Sequence, residues 1–426
     1  MSVARNLSRG AYSILLILLS PLYLLKLVWR GRAEPLYRHA LRERFAIGLR
    51  SDWSNGLWVH AVSLGETRAA EALITALRAR HPGLRLLLTH GTATGREAGR
   101  ALLREGDVQV WCPYDTPGAV ARFLAHFRPA VGVLMETEIW PNLLHAAAQR
   151  GVPMVLANAR LSARSQRRGE SLSWLLRPAA ESLSLALAQT EADGKRLRAS
   201  GVREVVVAGN LKFDMTPDDA LLQQGRAWRE RVARPVLLAA VTREGEEALL
   251  LQAWLKDPAA QRGLLVIVPR HPQRFDEVEG LITEAGLRCA RRSRWTDTPP
   301  DEALAAEVWL GDTMGEMPLY YAVADVALLG GSFAPLGGQN LIEAAACGCP
   351  VVMGPHTFNF REAAELSLAA GASLRADGME DGVARACKLL HAAERPAMSQ
   401  RAQAFAAAHR GAAQRMAAAF TPWLGA

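Results

Sequence analysis

The stretch LWVHAVSLGETRAAEALITALRAR (57–80) decides the fold class of this chain. Its first seven residues are mostly apolar, as in a short buried strand, whereas the apolar residues after Thr67 return every three or four positions, as on one face of a helix. A short polar loop joins the two patterns. The stretch therefore predicts a β-strand that leads directly into an α-helix, which is the building unit of a parallel sheet.

The same strand-then-helix pattern recurs along the rest of the chain. Short apolar runs lie at 84–89, 108–113, 131–135, 152–157 and 185–188, and a second series lies at 235–240, 264–269, 307–312, 325–330 and 350–354. A chain of 426 residues has room for two domains. We therefore expect an α/β protein with two doubly wound, Rossmann-like domains, each a parallel sheet covered by helices on both faces.

The predicted domain boundary lies where the apolar run VVVAG ends at Gly209 and a polar stretch begins. The predicted segments are a membrane anchor with a basic interfacial segment (1–50), an N-terminal domain (51–209), a C-terminal domain (210–400) and an Ala-rich C-terminal helix (401–426).

Composition and charge exclude several classes of protein. Hydrophobic residues make up 50% of the chain and charged residues 22%, which excludes disordered and collagen-like proteins. The first fifty residues hold nine basic and two acidic side chains, so they carry +7 of the total charge of +8. Because the remainder is nearly neutral, no nucleic-acid partner is expected. The five cysteines lack CxxC spacing and neighbouring histidines, so we expect reduced structural thiols and no metal site.

The N-terminal segment AYSILLILLSPLYLLKLVW (11–29) has nineteen residues and one charge, Lys26. As a helix it would be roughly 28 Å long, close to the ~30 Å of a bilayer core. A cleaved signal peptide is the alternative, but the following RGRAEP offers no small-residue cleavage site. Arginines are more frequent after the segment than before it, which predicts cytoplasmic domains on a bacterial inner membrane. Residues 34–50 are either an interfacial helix on anionic lipid or an amphipathic helix packed on its own domain.

In the first domain, polar residues follow the predicted strands, where ligands of open α/β sheets bind. Glu66, in SLGE (63–66), is either catalytic or favoured by the dipole of the helix it starts. Glu136 and Glu138, in METEIWPN (135–142), are general acid–base candidates or acids in a first helical turn. Lys212, in GNLK (209–212), is one of five lysines among 50 basic residues and suits phosphate.

The second domain has three comparable loops, PRHPQR (269–274), GDTMGEM (311–317) and GGSFAPLGGQNLIE (330–343). Arg270 can bind phosphate or carboxylate, whereas His271 is read as a packed loop residue. The free N–H groups of the helix that follows the last loop predict an anion site, and Glu343 can accept hydrogen bonds from ribose. This loop is neither a Walker A loop nor a GxGxxG motif, so a nucleotide site in the C-terminal half is favoured over a dinucleotide site.

Together with NARLS (158–162), GNLKFD (209–214) and GPHTFNF (354–360), these motifs resemble those of the Kdo transferases over nearly the whole chain. Kdo is 3-deoxy-D-manno-octulosonic acid, which those enzymes add to the lipid A precursor during lipopolysaccharide synthesis. The resemblance implies a GT-B fold with two domains facing a central cleft and CMP-Kdo as donor. It also implies an inverting, metal-independent transfer to lipid IVA without a cofactor.

The resemblance also implies roles for individual residues. Glu66 would be the general base, and Glu138 and Lys212 would stabilise the transition state. The residues that would hold CMP are Pro269, Arg270, Met314, Gly315, Glu316, Asn340, Leu341, Ile342 and Glu343. Candidate contacts to acceptor or sugar are Ser63, Gly65, Glu136 and Arg160. The chain departs from the family pattern at Arg243 and Gln339, where histidine is more usual, so the donor pocket is expected to differ in detail.

The expected partners are CMP-Kdo, the lipid A precursor and anionic inner-membrane lipids. Two other functions fit the same architecture. One is a GT-B enzyme that uses a UDP-sugar, either a transferase or an epimerase. The other is a non-catalytic, membrane-bound nucleotide-sugar-binding protein.

Overall fold

The computed structural model describes residues 2–258, 260 and 263–425, with side chains from residue 7 onward. The side chain of Arg5, which belongs to the predicted basic segment, and residue 426 of the predicted C-terminal helix lie outside the described residues. The chain forms two compact units, Met1–Asp214 with Arg410–Ala426, and Met215–His409. The limits predicted from the sequence lie after residues 209 and 400; the contact-based limits lie after 214 and 409.

The first unit contains a sheet of seven strands in the order β3-β2-β1-β4-β5-β6-β7, and every neighbouring pair is parallel. These strands are β1 Leu57–His60, β2 Leu86–His90, β3 Val108–Trp111, β4 Val131–Met135, β5 Met154–Ala159, β6 Leu185–Ala188 and β7 Val205–Val207. Successive side chains of a strand point to opposite faces of the sheet. Trp58 therefore packs in the core on one face and Val59 in the core on the other.

The helices of the first unit cover both faces of this sheet. They are α1 Ser2–Arg30, α2 Leu64–Arg80, α3 Ala93–Gly99, α4 Pro117–Phe127, α5 Pro141–Gln149, α6 Ala163–Glu170, α7 Ser173–Glu181 and α8 Glu191–Ala199. Helix α5 begins with Pro141, whose missing N–H costs nothing at that position.

The second unit repeats the design with the strand order β10-β11-β9-β8-β12-β13-β14, again parallel throughout. Its strands are β8 Val236–Thr242, β9 Leu264–Pro269, β10 Cys289–Arg291, β11 Val308–Leu310, β12 Val326–Leu329, β13 Val351–Met353 and β14 Ser373–Arg375. Its helices are α9 Asp219–Arg231, α10 Glu246–Lys256, α11 Phe275–Glu284, α12 Asp301–Ala305, α13 Met317–Val323, α14 Leu341–Ala346, α15 Arg361–Ala369, α16 Met379–Leu390 and α17 Arg395–His409.

Both predicted doubly wound sheets are confirmed, and every predicted strand forms at its predicted place. Three further strands, β7, β10 and β14, were not among the two predicted series of strands. Each has three residues. Strands β10 and β14 contain arginine and so lack the continuous apolar run that a buried strand usually shows, whereas β7 is the short apolar run at the predicted domain boundary.

The C-terminal region is not the one helix that its alanines predict. After α17 the chain continues as α18 Ala412–Ala418 and α19 Thr421–Leu424. The break lies at Gly411, which adopts φ +87° before the first residue of α18. Helix α18 packs in the first unit, where Met416 and Phe420 join the core next to α2.

The N-terminal helix α1 packs along the first unit with one face. The Tyr12 hydroxyl donates to Asp115 at 3.0 Å, and Ser13 donates to Asn142 at 3.1 Å. The stretch Leu7–Arg30 is long and apolar enough to cross a membrane, with a mean hydropathy of 2.0. Eight exposed leucines and isoleucines lie in it: Leu7, Ile14, Leu15, Ile17, Leu18, Leu19, Leu22 and Leu25.

Residues 34–50 pack on their own unit, but they do not form the predicted regular helix. They form two 3-10 turns, Pro35–Arg38 and Leu41–Phe45. Ala40 and Ala46 bound the second turn with φ near +50°, a left-handed backbone that interrupts a helix. Tyr37 and Arg44 are buried against the unit.

Candidate active site

The candidate catalytic residues of the first unit lie where the order of the sheet reverses. Strands β1 and β4 are neighbours, whereas β2, the next strand along the chain, lies on the other side of β1. The loops that leave the carboxyl ends of β1 and β4 therefore diverge and leave space between them, which is the usual ligand position in such sheets. Glu66 follows β1, and Glu136 and Glu138 follow β4.

Glu66 is held by a capping arrangement at the start of α2. The Ser63 side chain accepts a hydrogen bond from the Glu66 N–H at 3.3 Å and donates its hydroxyl to Glu66 Oε1 at 2.9 Å. The Val62 N–H donates to Oε2 at 2.8 Å. Both carboxylate oxygens are thus oriented by the helix start, so the helix-start role expected of Glu66 is present. This role places the carboxylate at the strand end and is compatible with catalysis.

The protonation of Glu66 is tuned toward neutral pH. Burial raises its pKa to about 7, an effect opposed by the bonds from Val62 and Ser63 and reinforced by the charges of Glu138 and Glu136. A general base works best when its pKa lies near the operating pH, because it is then both deprotonated and basic. Glu66 therefore has the electrostatic environment of a base.

Glu138 is oriented by an aromatic side chain. The Trp140 indole N–H donates to Glu138 Oε2 at 2.6 Å. Burial raises the Glu138 pKa, Trp140 opposes that effect and Glu136 adds to it. Glu66, Glu136 and Glu138 thus form one group of carboxylates that act on each other.

Lys212 joins this group through Glu136. Its ammonium lies 3.9 Å from Glu136 Oε1, and both side chains are about one-third exposed, at 32% and 28%. Glu136 itself has φ +60°, a conformation that non-glycine residues adopt rarely and mostly at functional sites. Arg160, in contrast, has an exposed side chain and meets Glu136 only through its backbone N–H, 3.4 Å from the Glu136 carbonyl.

Asn158 positions the turn that carries Lys212. It is fully buried at the end of β5 with φ +52°, and its Oδ1 accepts the Leu211 N–H at 3.0 Å. Asn210 in turn accepts the Lys212 N–H at 3.0 Å. No role was predicted for Asn158 from the sequence. An asparagine directly after an apolar run is the signal for it, because asparagine tolerates a left-handed backbone and can bind a neighbouring N–H.

In the second unit, the loops after β8 and β12 leave the point where that sheet reverses. The glycine-rich loop 330–343 is held by Glu246, a buried carboxylate that the sequence analysis did not single out. Glu246 accepts the N–H groups of Arg243, Gly331, Phe333 and Ala334 at 2.7–3.2 Å. A Cβ at Gly330 would lie 2.2 Å from the Val241 carbonyl, so only glycine allows these loops to touch.

The residues expected to bind CMP at the end of this loop present backbone more than side chains. Leu341 and Ile342 are both 1% exposed, so their side chains belong to the core. Asn340 caps α14, and its Oδ1 accepts the Ile342 N–H at 3.1 Å. One of the N–H groups predicted to bind an anion is therefore already satisfied within the chain.

The other predicted CMP residues lie at the end of β9 and on the loops after β9 and β11. Pro269 is buried, and the Arg270 N–H donates to the Thr242 carbonyl at 2.9 Å. Met314 is 64% exposed. Gly315 has φ +84°, and open space surrounds the position of an added Cβ.

Glu316 is engaged within the chain. It accepts Arg292 at 2.7 Å on Oε1 and the Thr313 hydroxyl on Oε2. The structure thus places Glu66, Glu136, Glu138 and Lys212 together in the first unit. The nine residues predicted to bind CMP lie in three segments of the second unit, at the end of β9, after β11 and at the start of α14, and their role in holding the nucleotide stays a prediction.

Comparison with known proteins gives the family context for this geometry. Residues 39–215 match the family model described as 3-deoxy-D-manno-octulosonic-acid transferase (kdotransferase). A 3-deoxy-D-manno-octulosonic acid transferase of Bordetella pertussis is 48% identical, over 98% of this chain and 100% of its own. A 3-deoxy-D-manno-octulosonic acid transferase of Haemophilus influenzae is 34% identical, over 98% of this chain and 99% of its own.

Among solved structures, the UDP-GlcNAc 2-epimerase of Neisseria meningitidis, bound to UDP-GlcNAc, is similar with a TM-score of 0.55. Its sequence is 16% identical, over 87% of this chain and 99% of its own. This likeness concerns the GT-B fold alone.

Proposed function

The chain belongs to the 3-deoxy-D-manno-octulosonic acid transferases and is therefore a glycosyltransferase, and on that premise we propose that it moves Kdo from CMP-Kdo to lipid IVA, the lipid A precursor. The observation that carries the mechanism is the partly buried carboxylate of Glu66, which is held by Val62 and Ser63 and has its pKa raised to about 7.

In the proposed reaction, Glu66 removes the proton from the acceptor hydroxyl while the hydroxyl oxygen attacks the anomeric carbon of Kdo. A C–O bond forms to the acceptor while the bond from the anomeric carbon to the CMP phosphate breaks, and its electron pair leaves with CMP. Attack from the face opposite the leaving group inverts the anomeric configuration. Glu138 would stabilise positive charge that develops on the sugar ring.

The negative charge that develops on departing CMP needs cations. We assign Lys212 and Arg270 to this role, together with backbone N–H groups of the loop 330–343. Lys212 suits it because a compact ammonium binds phosphate as a point charge. This ammonium lies 3.9 Å from Glu136 Oε1, beside the carboxylates of the first unit. These cations would carry the charge without a metal ion or a cofactor.

The acceptor is proposed to come from a membrane. Helix α1 exposes an apolar face while its other face is bound to the first unit through Tyr12 and Ser13. The first fifty residues carry +7, which suits anionic lipid. We therefore propose a single N-terminal anchor in the bacterial inner membrane with both units on the cytoplasmic side.

The test is an assay of the purified full chain in detergent with CMP-Kdo and lipid IVA, with mass spectrometry of the lipid product. A product heavier by one or more Kdo units is expected, and Glu66→Gln should abolish it while circular dichroism stays unchanged. In a parallel binding measurement, CMP should bind more tightly than UDP. Preference for UDP, or undiminished turnover by Glu66→Gln, would contradict the donor or the base assignment, respectively.

A further inference from the structure

A pocket of about 180 Å³ lies in the first unit beside the candidate base. Two of its lining residues reach the carboxylates directly: Val62 donates its N–H to Glu66, and Trp140 donates its indole N–H to Glu138. The other walls come from side chains that the reaction proposed above does not use. Among them are Tyr23, Arg44, His60, Cys112 and Tyr114.

Arg44 brings a buried cation to this pocket. The residue is 2% exposed, and its Nη1 donates to the Tyr23 hydroxyl at 3.1 Å. Its Nε and Nη2 have no hydrogen-bond partner within residues 2–258, 260 and 263–425. The guanidinium lies 3.9 Å from the centre of the Trp111 ring, a contact that offsets only part of the cost of burying a charge. The charged partner that a buried arginine ordinarily has is therefore still to be supplied.

His60 brings a hydrogen-bond acceptor to the same pocket. Its Nδ1 lies 3.2 Å from the Thr89 carbonyl and 3.0 Å from the Thr89 hydroxyl. We assign the proton to Nδ1, because it can then donate to the carbonyl, which only accepts, while the hydroxyl donates to the Val59 carbonyl at 3.5 Å. Burial lowers the pKa of His60 to about 4, so the ring is neutral near pH 7. Its Nε2 then has a free lone pair, and no partner for it exists in the described part of the chain. A hydroxyl is the complementary group.

We propose that this pocket is a subsite for an anionic, hydroxyl-bearing part of the lipid acceptor, with Arg44 binding the anion and His60 Nε2 accepting from a hydroxyl. The proposal rests on the function proposed above. A volume of about 180 Å³ suits one sugar-sized group, since a cavity of roughly 150 Å³ accommodates benzene. The position suits a lipid, because Tyr23 of the apolar helix α1 forms one wall and stacks on Tyr114 at 4.6 Å.

The chain offers a matched control for Arg44. Arg96 lies over the same Trp111 ring at 4.7 Å and is 6% exposed, but it is paired with Glu43 at 2.9 Å. Arg44→Met should raise the KM for lipid IVA roughly tenfold to a hundredfold, the range for losing a charged hydrogen bond, with little change in the KM for CMP-Kdo. Arg96→Met should lower the thermal unfolding midpoint and leave the KM for lipid IVA near that of the wild type.

The decisive measurement compares lipid IVA with its phosphatase-treated form in neutral detergent. Removing phosphate should raise the KM of the wild type for the lipid by about the same factor as Arg44→Met does. It should raise the KM of the Arg44→Met variant little further. If phosphate removal raises the KM by the same factor in the wild type and in Arg44→Met, then Arg44 does not contact the anion and the subsite is overturned. Because both chains are compared with both lipids, a folding defect alone does not imitate this coupling.

His60 is tested by two amides. An asparagine side chain places its amide where the Nδ1 of the replaced histidine lay, and a glutamine places it where the Nε2 lay. His60→Asn should therefore raise the KM for lipid IVA, because no acceptor remains at the Nε2 position. His60→Gln should retain most of the affinity. Equal effects of the two would count against the acceptor role.

Membrane lipid is the other source of the same chemistry. The headgroup of phosphatidylglycerol also combines phosphate with hydroxyls, so vesicle binding is measured for both Arg44→Met and wild type. A defect confined to phosphatidylglycerol vesicles, with a normal KM in neutral detergent, would overturn the assignment to the acceptor. A wild type that transfers no Kdo would instead refute the proposed function, whereas an active wild type without coupling refutes only the subsite.

Discussion

At the residue scale, Glu66 has the setting for two roles that are often treated as alternatives, a helix cap and the proposed general base. The side chain caps the start of α2, where it accepts from Val62 and Ser63, and its burial holds its pKa near neutrality. The cap keeps the carboxylate in one orientation, and the nearby charges of Glu136 and Glu138 keep it basic. This setting is the one that the proposed role of Glu66 as a base requires.

The pH dependence of turnover follows from this setting. Because only the deprotonated Glu66 accepts a proton, kcat/KM should fall as the pH is lowered through about 7. Glu138→Gln removes a charge that raises the Glu66 pKa, so the acidic limb of its residual activity should move to lower pH. Initial rates between pH 5.5 and 8.5 measure the acidic limb of the wild type and that of Glu138→Gln. A flat profile, or a shift to higher pH in Glu138→Gln, would contradict the assignment.

Asn158 allows a test of positioning at the same scale. Asn158→Gly retains the freedom for φ +52° but removes the acceptor of the buried Leu211 N–H, which should cost about 1–3 kcal/mol of unfolding free energy. The turn that carries Lys212 should also loosen, so kcat should fall more than CMP affinity. Urea unfolding and steady-state kinetics measure the two effects. Unchanged kcat in a destabilised protein would assign Asn158 to stability alone.

At the scale of elements, α1 is amphipathic in a way that its composition conceals. Polar side chains within its apolar segment, Tyr12 and Ser13, bind Asp115 and Asn142 of the first unit. The remaining face exposes leucines such as Leu18, at 69%, and Leu22, at 62%. Such a helix binds the unit with one side and leaves an apolar side exposed.

We expect the exposed face of α1 to control membrane binding. Leu18→Asp with Leu22→Asp should strongly reduce sedimentation with phosphatidylglycerol vesicles, because each change puts a charge on apolar area that would be buried in the bilayer. Leu249→Asp is the control, since Leu249 is 50% exposed on α10 of the second unit. CMP binding should be unchanged in all three chains. Equal vesicle binding by the double variant and the wild type would argue against α1 as the anchor.

At the scale of the whole molecule, the C-terminal residues complete the first unit. The Asp214 carboxylate accepts the N–H groups of Gly411 and Ala413, and Met416 and Phe420 are fully buried beside α2. The end of the chain therefore supports the helix that carries Glu66.

Deleting residues 410–426 should consequently destabilise the first unit. Each of Met416 and Phe420 contributes roughly 1.5–3 kcal/mol by burial, so the loss should amount to several kcal/mol. Deleting only 421–426 removes partly buried side chains and should have a smaller effect. Thermal unfolding and limited proteolysis compare the two truncations. Similar unfolding midpoints for both would indicate that α18 is dispensable.

The sequence by itself determined the repeating βα units, because apolar periodicity reports which side chains leave water. It also located the loops at the strand ends and the family motifs within them. Tertiary structure alone decided which loops meet: the neighbouring of β1 and β4, the clamp of Glu246 on the glycine-rich loop, the hold of Asn158 on Lys212's turn and the return of α18 to the first unit. These contacts join residues far apart in the chain, and local pattern carries no information on such pairing. The same reason explains Arg44, whose sequence neighbours suggest a membrane-facing charge but whose burial beside His60 places it in a pocket.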